Sequence, residues 1–130
     1  MSQILIVEDD ADIRELAAFK LTLEGHEVHE EADGEAGLAA ARELMPDLIV
    51  LDWMMPKLTG LEVCQALRAE SATESLPIIL LTAKAQEADV QRGFAAGADD
   101  YISKPFSPPE LASRVTALLA RAQVPQQRPS

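Results

Sequence analysis

Short apolar runs alternate with longer stretches of helical spacing along this chain. The first run is Ile4, Leu5, Ile6 and Val7. Residues 11–24 follow, with Ile13, Leu16, Ala17 and Leu21 at a spacing that predicts one buried helix face. Gly25 ends that helix, as a C-terminal glycine does. Residues 27–31 read as a weak, half-polar strand, and residues 34–45 as an alanine-rich helix that stops before Pro46. Leu48, Ile49, Val50 and Leu51 form a fully apolar strand. A loop carrying Pro56 leads to a third helix over about residues 60–70. Ile78, Ile79, Leu80 and Leu81 make the next apolar strand, and residues 87–96 a shorter helix closed by Gly97. Tyr101 and Ile102 centre a short strand over 100–103. The last helix starts near Pro108 and Pro109, where proline is tolerated, and buries Leu111, Val115, Leu118 and Leu119.

Five strands alternating with five helices predict an α/β fold, doubly wound around a five-stranded parallel sheet. The three wholly apolar strands suit positions covered on both faces, and the half-polar second strand suits an edge. Right-handed crossovers then favour the flavodoxin-like order 2-1-3-4-5. Residues 1–122 form the expected domain, and 123–130 a polar, proline-containing tail or linker.

Composition narrows the function. The chain has 130 residues and a net charge of −11, which speaks against nucleic acid as a direct partner. Cys64 is the single cysteine, so no internal disulfide can form. That fits a reducing cytoplasm, and the helical pattern around Cys64 gives it a packing role. No apolar run approaches the roughly 20 residues that span a bilayer. The first strand begins without a basic leader, so neither a signal peptide nor a membrane association is expected.

In open α/β sheets the functional crevice lies beyond the carboxyl ends of the strands, at the topological switch point. Glu8, Asp9 and Asp10 follow the first strand, Asp52 the third, Thr82 the fourth, and Ser103 and Lys104 the fifth. Clustered carboxylates either rise in pKa or bind a cation, and hard oxygen ligands at an open site suit Mg²⁺. A carboxylate can attack phosphorus and form an acyl phosphate. The metal, Lys104 and the Thr82 hydroxyl can then share the charge of the transferring group. Asp10 reads as a helix-end residue. Each of these residues alone is ordinary; their arrival together at four strand ends is not.

The stretches ILIVEDD (4–10), LIVLDWMMPKLTG (48–60), IILLTAKA (78–85) and GADDYISKPF (97–106) resemble the receiver domain of two-component response regulators. They are most similar to the receivers of OmpR/PhoB-type regulators. The resemblance implies a CheY-like fold and a signalling role rather than a conventional enzyme, with the receiver assisting its own phosphorylation and dephosphorylation. Glu8 and Asp9 match the acidic pair that holds Mg²⁺, with Mn²⁺ able to substitute, and the backbone carbonyl of Met54 matches a further ligand. Asp52 matches the metal-touching aspartate that is phosphorylated by a sensor histidine kinase or a phosphotransfer protein. Thr82 and Lys104 match the residues that bind phosphoryl oxygens, Lys104–Pro105 a peptide bond that is typically cis, and Tyr101 the aromatic switch. The face made by the fourth helix, fifth strand and fifth helix is then the output surface. Asp100, Glu110, Arg114 and Arg121 match positions of a homodimer on that face, whereas Val90, Ala96 and Thr116 stand where the subgroup commonly has charged partners.

Several further residues carry expectations. Met54 and Lys84 match positions that influence acyl-phosphate hydrolysis, and an apolar Met54 implies a long-lived phosphoryl state. Ile13, Ala17 and Phe106 are candidates for an apolar kinase patch. Trp53 either shields the site from water or packs beside it. His26 and His29 flank the edge strand and read as solvated. Two rival functions fit less well. A haloacid-dehalogenase-like phosphatase places its nucleophile in a D-x-D pattern after the first strand, and a flavin carrier needs a Ser/Thr/Gly-rich phosphate loop there.

Overall fold

The structure, a computed structural model, describes residues 2–83 and 86–123. The elements run β1 (Gln3–Val7), α1 (Ala11–Leu23), β2 (Glu27–Glu31), α2 (Gly34–Leu44), β3 (Leu48–Asp52), α3 (Gly60–Ala69), β4 (Ile78–Thr82), α4 (Glu87–Ala95), β5 (Asp100–Ser103) and α5 (Pro108–Gln123). All strand pairs are parallel, in the order β2-β1-β3-β4-β5. The half-polar strand is indeed an edge. The tail residues from 124 onward and Lys84 lie outside the described residues.

Period-two alternation divides each apolar strand between two cores. Leu5, Val7, Ile49, Leu51, Ile78, Leu80 and Tyr101 face one layer, with Leu38 and Ala41 of α2 and Val63, Cys64 and Leu67 of α3. Ile4, Ile6, Leu48, Val50, Ile79, Leu81 and Ile102 face the other, with Ala17 and Leu21 of α1 and Leu111, Val115, Leu118 and Leu119 of α5. Burial on both sheet faces explains why β1, β3 and β4 are continuous apolar runs. Register then sets the site. Val7 pairs with Leu51, Asp52 with Leu81 and Thr82 with Ser103, so the carboxyl ends step along one sheet edge.

The chain departs from the sequence expectations in several places. Asp52 and Thr82 are the last residues of their strands rather than the first residues after them. Asp10, by contrast, is the helix-end residue expected: it stands just outside α1 as the N-cap, its Oδ1 accepting from the N–H groups of Asp12 and Ile13 at 2.9 and 3.2 Å. Leu16 is not in the buried face of α1. The small Ala17 and Ala18 face the sheet with Leu21, and Leu16 lies about 100° and 200° around the helix from them, so it turns outward. His26 and His29 are half-buried rather than solvated. His29 pairs with Leu5, which faces the α2–α3 core, so its ring shares that covered side. Residue 45 ends the second helix instead of continuing it: Met45 takes a left-handed φ of 48° as the C-cap.

Two glycines let the loop after β3 pack against its neighbours. A Cβ on Gly34 would lie 2.1 Å from the Leu58 carbonyl oxygen. A Cβ on Gly60 would lie 2.3 Å from the Asp52 carbonyl oxygen and 2.8 Å from Trp53 Cα. The Gly60 N–H instead donates to the Trp53 carbonyl at 2.8 Å, which seats the start of α3 on the end of β3. Thr59 and Glu62 complete a capping box there. Because both clashing groups at Gly60 are backbone, Gly60→Ala is expected to destabilise the fold by at least about 2 kcal/mol, read as a lowered urea midpoint.

Candidate functional site

Three of the four buried polar side chains among the described residues, Glu8, Asp52 and Thr82, stand at or just beyond carboxyl strand ends. Glu8 directly follows β1 and is fully buried. Lys104, just beyond β5, reaches across the sheet edge between the two carboxylates. Its Nζ lies 2.7 Å from Glu8 Oε1 and 3.1 Å from Asp52 Oδ1. The Asp52 contact is a hydrogen bond. The Glu8 contact is an ion pair off the hydrogen-bonding direction, so Glu8 Oε1 is buried without a directional donor. Glu8 Oε2 accepts from the Asp10 N–H at 3.2 Å.

Burial pushes the Asp52 carboxyl up to about 7, and hydrogen bonding and charge repulsion from Glu8 add to the shift while Lys104 opposes it. Burial alone would lower Lys104, but its contacts with Glu8 and Asp52 outweigh that and hold its ammonium above the ordinary value. Asp9 completes the set. Glu8, Asp9 and Asp52 each offer an oxygen within 4.8 Å of the others. With Lys104 these groups carry two uncompensated negative charges when ionised. The donors are all hard oxygens, one of them buried without a directional partner. Such a set fits a divalent hard cation of the Mg²⁺ type.

On the far side, Thr82 is buried and Tyr101 is turned inward. The Tyr101 hydroxyl is buried without a hydrogen bond of good geometry, and Thr82 is the polar group beside it. Burial raises the phenol, Thr82 offsets part of this, and the charge of Asp89 adds to it. Trp53 is packed into the core: its ring meets Tyr101 edge-on with centroids 6.2 Å apart, and the Arg92 guanidinium lies 5.4 Å above it. The Lys104–Pro105 peptide bond is cis. Met54 lies in the loop after β3 with its side chain exposed.

The predicted output residues are only partly brought together. Arg114 Nη1 lies 2.8 Å from Asp100 Oδ1, and Arg114 Nη2 lies 3.5 Å from Glu110 Oε2, so these charges pair within the chain. Arg121 is exposed near the end of α5. Cys64 is buried, donates to the Ala96 carbonyl at 3.3 Å, and has its thiol pushed up to about 11 by burial, which makes it an inert packing residue. Ala17 is fully buried and cannot join a kinase patch. Leu16, Phe19 and Leu23 are exposed instead, as a stripe along α1. The signal for them was present in the sequence: α1 has more apolar residues than one buried face can hold. Arg14, whose side chain reaches back to the Glu8 backbone, was also missed.

Comparison with known proteins gives this geometry a family. The model of the response regulator receiver domain matches residues 4–116, and the chain belongs to that family. Its relatives include the phosphate regulon transcriptional regulatory protein PhoB of Rhizobium meliloti, 46% identical over 123 residues, covering 95% of this chain and 54% of that protein. The DNA-binding dual master transcriptional regulator RpaA of Synechocystis is 46% identical over 127 residues, covering 97% of this chain and 53% of that protein. The receiver is thus similar to those of OmpR/PhoB-type regulators, and the chain spans about half the length of the curated relatives it matches. The chemotaxis response regulator CheY4 of Vibrio cholerae has the same fold, with a TM-score of 0.87 at 35% identity, covering 91% of this chain and 98% of that one. No helix among the described residues is long and apolar enough to cross a membrane.

The raised Asp52 carboxyl has a pH signature. A carboxyl whose folded pKa lies above its unfolded value makes the folded state bind more protons, so its contribution falls as pH rises from about 4 to about 7. Without divalent cations, the parent protein is expected to lose thermal stability across that window. Asp52→Asn should lack this slope and melt higher than the parent at pH 7.5 by roughly 5 °C. Matching pH profiles of the two melting temperatures would refute the assignment.

Proposed function

We propose that Asp52 accepts a phosphoryl group from the phosphohistidine of a sensor histidine kinase, or of a phosphotransfer protein, and thereby resets the face of α4, β5 and α5. The observation that carries this reading is the buried pairing of Asp52 with Lys104 beside Glu8 at the strand ends. An Asp52 carboxylate oxygen attacks phosphorus, the N–P bond breaks, and the leaving imidazole keeps the electron pair and takes up a proton. Glu8, Asp9 and Asp52, with the Met54 backbone carbonyl, would hold Mg²⁺, or Mn²⁺ in its place. When bound, the ion neutralises charge on the transferring group. Lys104 donates to one phosphoryl oxygen and the Thr82 hydroxyl to another. The receiver thus assists its own phosphorylation by fixed charge and geometry. Its dephosphorylation needs an oriented water, and the exposed thioether of Met54 orients one poorly, so the acyl phosphate is long-lived.

The new group adds nearly two negative charges beside Thr82 and Tyr101. Tyr101, buried between Trp53 and Phe94, is the aromatic that carries the change to the α4–β5–α5 face. That face serves a downstream partner or a homodimer, with Asp100, Glu110, Arg114 and Arg121 as its charged residues. In a longer parent protein the output is transcription control, while this receiver itself contacts neither nucleic acid nor membrane. A reduced Cys64 and a kinase partner suit the cytoplasm. The kinase seats on the α1 stripe of Leu16, Phe19 and Leu23, next to a cavity of about 150 Å³ lined by Ile13, Leu16, Lys104, Pro105 and Phe106.

Incubation with Mg²⁺ and acetyl phosphate is expected to add one phosphoryl group by intact mass, and none to Asp52→Asn. An unlabelled parent protein beside a labelled control receiver would overturn the reading. Size measurement before and after labelling decides the homodimer. For the kinase surface, Leu16→Glu with Phe19→Glu should slow transfer from the cognate kinase at least about tenfold while leaving acetyl phosphate labelling intact. Equal losses from both donors would remove α1 as the docking surface.

A further inference from the structure

We propose that Arg14 is a positioning residue for the acidic site, clamping the exit of β1 so that Glu8 and Asp9 present their carboxylates together. The inference rests on the reading of Glu8, Asp9 and Asp52 as ligands of Mg²⁺. Arg14 lies one turn into α1, where its N–H donates to the Asp10 carbonyl at 2.9 Å. Its side chain, only 19% exposed, turns back toward the sheet. Nη1 donates to the Glu8 carbonyl oxygen at 2.8 Å, and Nε lies 3.4 Å from Glu30 Oε1 on β2.

The atom held is the important point. The Glu8 carbonyl belongs to the peptide plane joining Glu8 to Asp9, and that plane is rigid. On its other side, the Glu8 N–H donates to the Glu31 carbonyl at 3.1 Å. Glu8 is therefore fixed through both its peptide groups, by β2 on one side and by Arg14 on the other. Its side chain is further held by Lys104. Asp9 has no such support. It is exposed, and its carboxylate makes no hydrogen bond or ion pair among the described residues, so backbone orientation alone aims it at the site. Arg14 sets that orientation. A lysine has one compact donor group and cannot reach both oxygens in this forked way.

Simple electrostatics and positioning predict opposite signs. A guanidinium near a cation site repels the cation, so its removal should tighten Mg²⁺ binding if charge alone mattered. A lost clamp should weaken binding, because partners that orient metal ligands contribute strongly to affinity.

The test is calorimetric titration of Mg²⁺ into the metal-stripped 130-residue chain, with thermal unfolding in the absence of Mg²⁺ run in parallel. Arg14→Ala is expected to bind on the order of tenfold more weakly, with Arg14→Lys intermediate and metal-free melting changed little. Glu30→Gln, which removes the ion pair and leaves the Glu8 contact, should stay within about twofold of the parent. Unchanged or tighter binding by Arg14→Ala overturns the proposal. So does a Glu30→Gln loss as large as that of Arg14→Ala, or unfolding of both Arg14 variants, which would make Arg14 a determinant of the fold. A parent protein that binds no Mg²⁺ would instead sink the acidic-site reading itself, and this inference with it.

Discussion

At the carboxyl edge of the sheet, one half-buried ammonium sits against two buried carboxylates, Lys104 against Glu8 and Asp52. Burying charge is costly unless it is paired, and here the pairing is incomplete by one negative charge before Asp9 is counted. The rest of the molecule makes this arrangement tolerable. β1, β3 and β4 are apolar on both faces, so the strands that end in these charges are among the best buried parts of the chain. Gly60 lets α3 start directly on the end of β3, and Gly34 lets α2 pack on the loop that follows. The site is therefore a local excess of negative charge held rigid by an apolar scaffold. Addition of positive charge, or protonation of Asp52, relieves it.

The opposite side of the site leads to α4, whose C-terminal half carries contacts with the core. Gly93 is the one buried residue of α4, and a Cβ there would press on Leu80 and Tyr101 at 3.1 Å. Beyond the end of α4, Cys64 holds the Ala96 carbonyl and Arg68 donates to the Gly97 carbonyl at 2.9 Å. Arg68 also pairs with Asp99, whose carboxylate accepts the Ile78 N–H at 2.8 Å. These contacts fasten the C-terminal end of α4 to α3 and to the start of β4. In the same last turn, Phe94 meets the Tyr101 ring and the Arg92 guanidinium lies over Trp53.

The architecture was legible because burial on both sheet faces writes an unbroken apolar run, a pattern that β1, β3 and β4 all carry. Strand order followed from the polarity of β2. The gathering of Glu8, Asp9, Asp52, Thr82 and Lys104 at one edge followed from strand ends alone. What escaped the sequence depends on rotation and reach. Apolar spacing alone puts Leu16 on the buried face of α1, but the alanines at 17 and 18 compete equally well for the sheet and turn it outward. His26, just before the polar edge strand, and His29, on it, look solvated, yet one nitrogen of each ring is shielded. Arg14 is a long side chain whose target is a backbone oxygen, and no residue pattern announces a backbone acceptor. The pairing of Arg114 with Asp100 and Glu110 inside the chain is likewise a matter of reach.

Trp53 is the only tryptophan in the chain, and it follows Asp52 directly. Its indole is shielded from solvent, edge-on to Tyr101 and beneath the Arg92 cation. The protein thus carries an intrinsic optical probe at the junction between the acidic edge and the α4–β5 surface. Its emission reports on that junction with no background from a second indole and no added label.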